Sequence, residues 1–264
     1  EIFGGQIIYF FKKLYLSYKL RNKYDFYFVI GDIVPVFFAW FAKKDFYTYL
    51  VAYSSHYEGK LRLPWPCKFF LLSKYAKKIY TRDFLTAKDL TQQLSKRVSF
   101  LGNPFMDKFS FFEKKSKALT FNIGLFPGSR FPEISDNLQL MLEVLETMSN
   151  LKYFENIVFR FAIVNALSTT KIKQILKKRK WIFVEKLDKN NSLEFEFGFF
   201  SIIFNWSMFE QILYESKFVI SMAGTATEQA IGLAKPVIQI EGKGPQFTKS
   251  FAEAQRRLLG RYVF

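Results

Sequence analysis

The chain has 264 residues, of which 50% are hydrophobic, and its Lys+Arg 39 against Asp+Glu 23 leaves a formal net charge of +16. That length and apolar content can bury the core of one large or two ordinary α/β domains, which excludes a disordered chain. A lone cysteine, Cys67, excludes an internal disulfide framework and a thiolate metal cluster, and it points to a reducing compartment, the cytoplasm by default. The lone histidine, His56, excludes a multi-histidine metal site within the sequence and reads as a loop or surface residue, general-base work being the alternative. The basic surplus calls for an anionic partner: nucleic acid, an acidic membrane leaflet or a phosphorylated substrate.

In chain order, residues 6–21 mix Ile7, Ile8, Phe10, Phe11, Leu14 and Tyr15 with Lys12, Lys13, Lys19 and Arg21, which predicts an amphipathic helix. Such a helix can pack on a sheet with its lysine stems along apolar surface, or rest on the inner face of a membrane. Phe26–Ile30, a continuous apolar run stopped by Gly31-Asp32, predicts a buried parallel strand. Phe26–Ala42 as a whole is broken by Gly31, Asp32 and Pro35 and falls short of the ~20 apolar residues of a bilayer span. A helix over 34–43, a strand over 47–52, a proline-rich crossing at Pro64 and Pro66, a strand over 78–81, a helix over 83–94 and a strand over 97–101 follow. No signal peptide opens the chain, and with Glu1 in place of an initiator methionine it reads as cut at both ends.

Gly102-Asn103-Pro104 closes this half, residues 107–119 read as a linker, and the alternation resumes with a strand over 121–126 and a helix carrying Leu138, Met141, Leu142, Leu145 and Met148. Further strands are predicted at 157–164, 181–184, 202–204, 218–221 and 236–240, with helices near 168–178, 207–215, 225–233 and 248–259. Alternating strands and helices predict two Rossmann-like, doubly wound parallel-sheet domains facing a cleft, over 1–106 and 120–264.

Chemistry concentrates at a few turns. Pro127-Gly128-Ser129-Arg130 follows a strand and precedes a helix that Pro132 can open; glycine allows close backbone approach to a phosphate, and Arg130 offers a bidentate guanidinium. The alternative is an ordinary strand-to-helix turn. Phe218–Gln229 repeats strand, small-residue turn and helix start. There Thr225 and Glu228 form either a capping box or, through the Glu228 carboxylate, a ribose contact. Ser207 and Glu210 have capping-box spacing too. Glu241–Gln246 is a weaker glycine-lysine loop. Asp32, at a strand end, is the candidate general base, and capping of the next helix is its other reading.

The stretches GLFPGSRFPEI, GNPFMD and GTATEQAIGLAKPVIQIEGKGPQFTKSFAEAQRRLLG resemble the lipid-A-disaccharide-synthase-related proteins of cyanobacterial type, within the GT-B glycosyltransferases. The resemblance implies an inverting, metal-independent hexosyltransferase without a cofactor, its substrate a uridine-diphosphate sugar. An N-acetylglucosamine derivative would pass to a lipid-linked acceptor at an anionic membrane surface, in the cytoplasm. It places Gly128, Ser129 and Arg130 near the diphosphate, Gly224, Thr225, Glu228 and Gln229 in the donor segment, Gln246 at the donor sugar and Asp32 as the catalytic base. The glycine-rich opening turn of the first domain and the closing elements of the second are missing, so weak or no turnover is expected of this stretch alone. A UDP-sugar 2-epimerase-like isomerase and a catalytically inactive nucleotide-binding relative are the competing readings. Nucleic-acid binding is not expected, as no helix-turn-helix, zinc or RNA-recognition signature accompanies the charge.

Overall fold

A computed structural model describes residues 5–56, 59–109, 121–149, 157–187 and 192–240, together with positions 249, 250, 253, 256 and 259. The chain divides into two compact units, Glu1–Pro104 with Glu253–Phe264, and Phe105–Ala252.

The first unit holds a four-stranded parallel sheet in sequential order: β1 (Tyr27–Gly31), β2 (Phe46–Leu50), β3 (Ala76–Thr81) and β4 (Val98–Phe100). Parallel neighbours require crossovers, which are supplied by α2 (Ile33–Phe41), α3 (Trp65–Leu72) and α4 (Phe84–Leu94). Each crossover has a local cause. Asp32 Oδ1 accepts the Val34 amide at 2.9 Å and starts α2, and Asp83 accepts the Thr86 amide at 2.7 Å and starts α4. The proline-rich crossing is itself a helix, because Pro66 falls in the first turn of α3, where no N–H is needed. Phe46, Leu50, Leu71, Ile79 and Leu90 are fully enclosed in the core. Asp89 of α4 accepts the Ser55 hydroxyl at 2.7 Å and the Leu61 amide at 2.5 Å, tying the loop after β2 to the helix.

The predicted N-terminal helix is α1 (Gln6–Lys19). It packs on α2 rather than on the sheet, through Phe10 against Phe37 and Phe38, and leaves Ile7, Ile8, Phe11 and Tyr15 exposed. Among the described residues no helix is long and apolar enough to cross a membrane. His56 is an exposed loop residue with Nε2 3.5 Å from Asp83 Oδ1.

Cys67 is fully buried in α3, and burial, followed by the nearby Asp32 charge, pushes its thiol up to about 12. Because the thiolate is the reactive form, alkylation by iodoacetamide at pH 8 is expected to be slower than that of a free thiol by roughly a thousandfold from thiolate fraction alone. Mass spectrometry should find the native protein unlabelled and the denatured protein fully labelled. Rapid labelling of the native protein would contradict this burial.

The second unit is a seven-stranded mixed sheet in the order β11-β10-β5-β6-β9-β8-β7. Its strands are β5 (Phe121–Phe126), β6 (Ile157–Ile163), β7 (Ile182–Leu187), β8 (Ser192–Phe197), β9 (Phe200–Trp206), β10 (Phe218–Ser221) and β11 (Val237–Gln239). Its helices are α5 (Glu133–Met148), α6 (Thr169–Lys178), α7 (Phe209–Glu215) and α8 (Gly224–Gly232). Phe159, Phe161, Phe195 and Phe204 interlock beneath Leu138, Leu142 and Leu145 of α5, with Ile172 and Leu176 of α6 in the same core. A separate cluster seats Ile212 and Leu213 of α7 and Ala226 and Ala230 of α8 on Phe126 and Val219. Two apolar clusters, each with its own helices, make the unit doubly wound.

Two features differ from the predicted parallel sheet. Strand β8 was not predicted, and both β7–β8 and β8–β9 are antiparallel. The cause is a two-residue hairpin, Gly198-Phe199, between the paired residues Phe197 and Phe200, where Gly198 has φ +60° and takes the left-handed conformation that tight hairpins require. Of the predicted helix 248–259, positions 249, 250, 253, 256 and 259 are described and are helical, and most of the linker 107–119 lies outside the described residues.

Candidate functional site

From β5 the chain of the second unit passes to β6 beside it, then to the edge strand β7, comes back through β8 to β9 next to β6, and crosses to the other side of β5 to add β10 and β11. The strand order therefore reverses between β5 and β10. Loops leaving the carboxyl ends of strands diverge at such a point and open a crevice. A cavity of about 490 Å³ occupies that position, in the size range of small-molecule sites.

Its first wall is the turn after β5. Phe126 pairs with Ser221 of β10, and the Met222 amide donates to the Phe126 carbonyl at 2.9 Å, so the two strands stay joined up to the cavity edge. Gly128 then takes φ +104°, a conformation that side chains disfavour. Asn137 of α5 donates Nδ2 to the Pro127 carbonyl at 2.8 Å and fixes the turn. Gly128, Ser129 and Arg130 all line the cavity; Arg130 is exposed and makes no ion pair among the described residues. Pro132 sits one residue ahead of its predicted place, at the N-cap of α5, which begins at Glu133, and the Phe131–Pro132 peptide is cis.

The second wall is the start of α8, where Gly224, Thr225 and Gln229 line the cavity. The capping box does not form. The N-cap is Ala223, with no side-chain acceptor, and Thr225 lies exposed inside the first turn. The first amides of a helix have no acceptor within it, so those of Gly224, Thr225 and Ala226, all on the cavity wall, are available to an anion. Glu228 is only 8% exposed, is engaged within the protein and is not part of the wall. Gln229 also donates Nε2 to the Phe105 carbonyl at 2.8 Å, which steadies the helix against the chain entering the unit. Ser207 and Glu210 form no capping box either: the N-cap of α7 is Met208, without a side-chain bond, and Glu210 meets Lys108 at 3.4 Å.

Asp32 belongs to the first unit, where its carboxylate caps α2. Gln246 and the Glu241–Gln246 loop lie outside the described residues.

Residues not singled out in the sequence complete the wall, Glu133 and Asn137 on α5, Asn165 after β6 and Phe209 after β9, together with Ser207, which the sequence offered only for its capping-box spacing. Ser207 has φ +60° and donates Oγ to Asn165 Oδ1 at 3.3 Å, a cross-link between the ends of adjacent strands. The signal for Asn165 and Ser207 was their position just beyond predicted parallel strands. Among the described residues no group of three or more His, Cys, Asp or Glu comes together as a metal site.

No family profile and no curated protein matches this sequence. Among solved structures the chain is similar to a protein assigned as a UDP-N-acetylglucosamine 2-epimerase from Listeria monocytogenes (12% identity, 95% of this chain and 68% of that one, TM-score 0.48). It is similar also to the UDP-GlcNAc 2-epimerase of Methanocaldococcus jannaschii (13% identity, 97% and 76%, TM-score 0.44). A third is the UDP-GlcNAc 2-epimerase of Neisseria meningitidis bound to UDP-GlcNAc (17% identity, 95% and 70%, TM-score 0.42). Likenesses this distant carry no argument about role; the structure itself is α/β, with two units that each hold a sheet of mainly parallel strands. All three are named as epimerases and none as a glycosyltransferase, and this is the finding against the expected sugar transfer to a lipid-linked acceptor. Nothing in them supports the lipid-A-disaccharide-synthase-related family in particular.

Proposed function

We propose that the second unit binds a uridine-diphosphate sugar in the cavity between the ends of β5 and β10, and that the reaction served is isomerisation of that nucleotide sugar without an acceptor. The observation that carries the binding is the convergence of two turns from adjacent parallel strands on one space. The turn with Gly128 and Arg130 supplies a guanidinium that makes no ion pair among the described residues, and the uncapped start of α8 supplies amides. Backbone amides at a helix start and a free guanidinium are the groups that hold a diphosphate. Isomerisation needs only the bound nucleotide sugar and groups that move a proton at the sugar, and it is the second enzyme class that the sequence reading raised.

Isothermal titration with uridine diphosphate tests the pocket. Arg130→Ala is expected to weaken binding by about tenfold or more, as for a lost charge-assisted hydrogen bond, with an unchanged melting temperature. Equal binding by both proteins would remove the guanidinium from the site. Incubating the protein with UDP-GlcNAc alone and separating products by chromatography tests the chemistry. A 2-epimer formed without acceptor supports isomerisation, and binding with no product supports an inactive nucleotide-binding relative.

A further inference from the structure

Among the described residues, two buried polar atoms on the cavity-lining helix have no hydrogen-bond partner. Glu133 and Asn137 stand one turn apart on α5, hence on one face, and both line the cavity. Asn137 is 3% exposed, and its Oδ1 is buried without a hydrogen-bond partner; Glu133 Oε2 is in the same state. The orientation of the Asn137 amide follows from its neighbour. The Pro127 carbonyl can only accept, so the nitrogen must face it and the oxygen is turned away.

Buried acceptors left unpaired are costly, and in native proteins each calls for a donor. A phosphate cannot be that donor, since its oxygens accept and its charge repels the Glu133 carboxylate. The walls of the cavity therefore differ in kind: Arg130 and the amides of α8 suit an anion, whereas the α5 pair suits a neutral group bearing O–H. We propose that Glu133 and Asn137 receive hydroxyls of the ligand, so that the cavity selects a diphosphate esterified to a polyol, ribose or sugar, over bare pyrophosphate. This inference rests on the diphosphate reading above and adds the chemistry of the group beside it.

The test compares three probes, pyrophosphate, uridine diphosphate and UDP-GlcNAc, by calorimetric titration of the wild-type chain and of Glu133→Gln. The substitution keeps the shape and the Asn137–Pro127 bond while removing the charged acceptor. Affinity for UDP-GlcNAc is expected to fall about tenfold, that of a lost hydrogen bond to a charged group, while pyrophosphate binds as well as before or better. A fall shared by uridine diphosphate assigns the pair to ribose; a fall confined to UDP-GlcNAc assigns it to the sugar. Asn137→Leu, which also frees the Pro127 carbonyl, should weaken all three. Equal losses for pyrophosphate and UDP-GlcNAc in Glu133→Gln, or no loss for any probe, overturn the proposal while leaving diphosphate binding standing. A wild-type chain that binds none of the three overturns both.

Discussion

Replacing Phe161 by alanine should cost about 3–5 kcal/mol, the range for deleting a buried phenyl group. Phe161 lies in β6, fully buried, with its ring stacked on that of Phe204 at 4.7 Å between centroids and 8° between planes. The two residues are paired in register on adjacent strands, and Phe204 meets Phe195 of β8 edge-on at 5.9 Å. Alanine would open a void in the middle of this row, where neither strand can close in without breaking its ladder. For a unit of this size the melting temperature should drop by on the order of 10 °C, as followed by near-ultraviolet circular dichroism. A loss below about 1 kcal/mol would mean that the row repacks, contrary to the behaviour of dense cores.

The second large effect is expected at Glu215. Arg160 points from β6 to Glu215 at the end of α7, where Nη1 donates to Oε2, and Nε reaches Asn205 Oδ1 of β9 at 3.4 Å. Their side chains are 12% and 23% exposed, so little water is at hand to replace the carboxylate. Glu215→Ala strands a guanidinium and should cost about 2–3 kcal/mol, somewhat below a fully buried pair. Arg160→Met combined with Glu215→Leu should recover most of that loss, because the penalty arises from the stranded charge and not from absence of the pair. Chemical denaturation of the three proteins measures it, and a double variant no better than Glu215→Ala would refute the account. The same link holds α7 behind Ser207 and Phe209, so the single variant should also weaken ligand binding on that side of the cavity.

Much of the secondary structure was legible because its causes are local. Tyr27–Gly31 is a short apolar run stopped by a glycine, although at the sheet edge it leaves Phe28 and Ile30 exposed where a buried strand was expected; Asp32 caps the helix after it, one of its two readings; and the period of Leu138, Met141, Leu142 and Leu145 is that of a buried helix face. The omissions are instructive. Pro64 and Pro66 read as a proline-rich crossing without a helix of its own, although a proline in the first turn favours a helix. In β8 the alternation of Leu193 and Phe195 with Glu194 and Glu196 was a period-2 signal, present in the sequence and passed over beside the stronger parallel pattern. Thr225 and Glu228 had the spacing of a capping box, yet the helix starts one residue before Thr225, which leaves its hydroxyl in the wrong place to cap.

The order of residues along the chain was enough to read an α/β protein of alternating strands and helices and the turns at 127–130 and 222–226, whereas the left-handed conformation of Gly128 appears only in the structure. Those are short-range matters, decided by period, chirality and the chemistry of a few neighbours. That the two turns open onto one cavity, that Glu133, Asn137, Asn165 and Ser207 join them there, and that Glu228 turns inward instead were decided by the order of strands in the sheet. Sheet order brings together segments nearly a hundred residues apart, and it is set by the burial of whole faces, a sum over the unit that no short stretch contains.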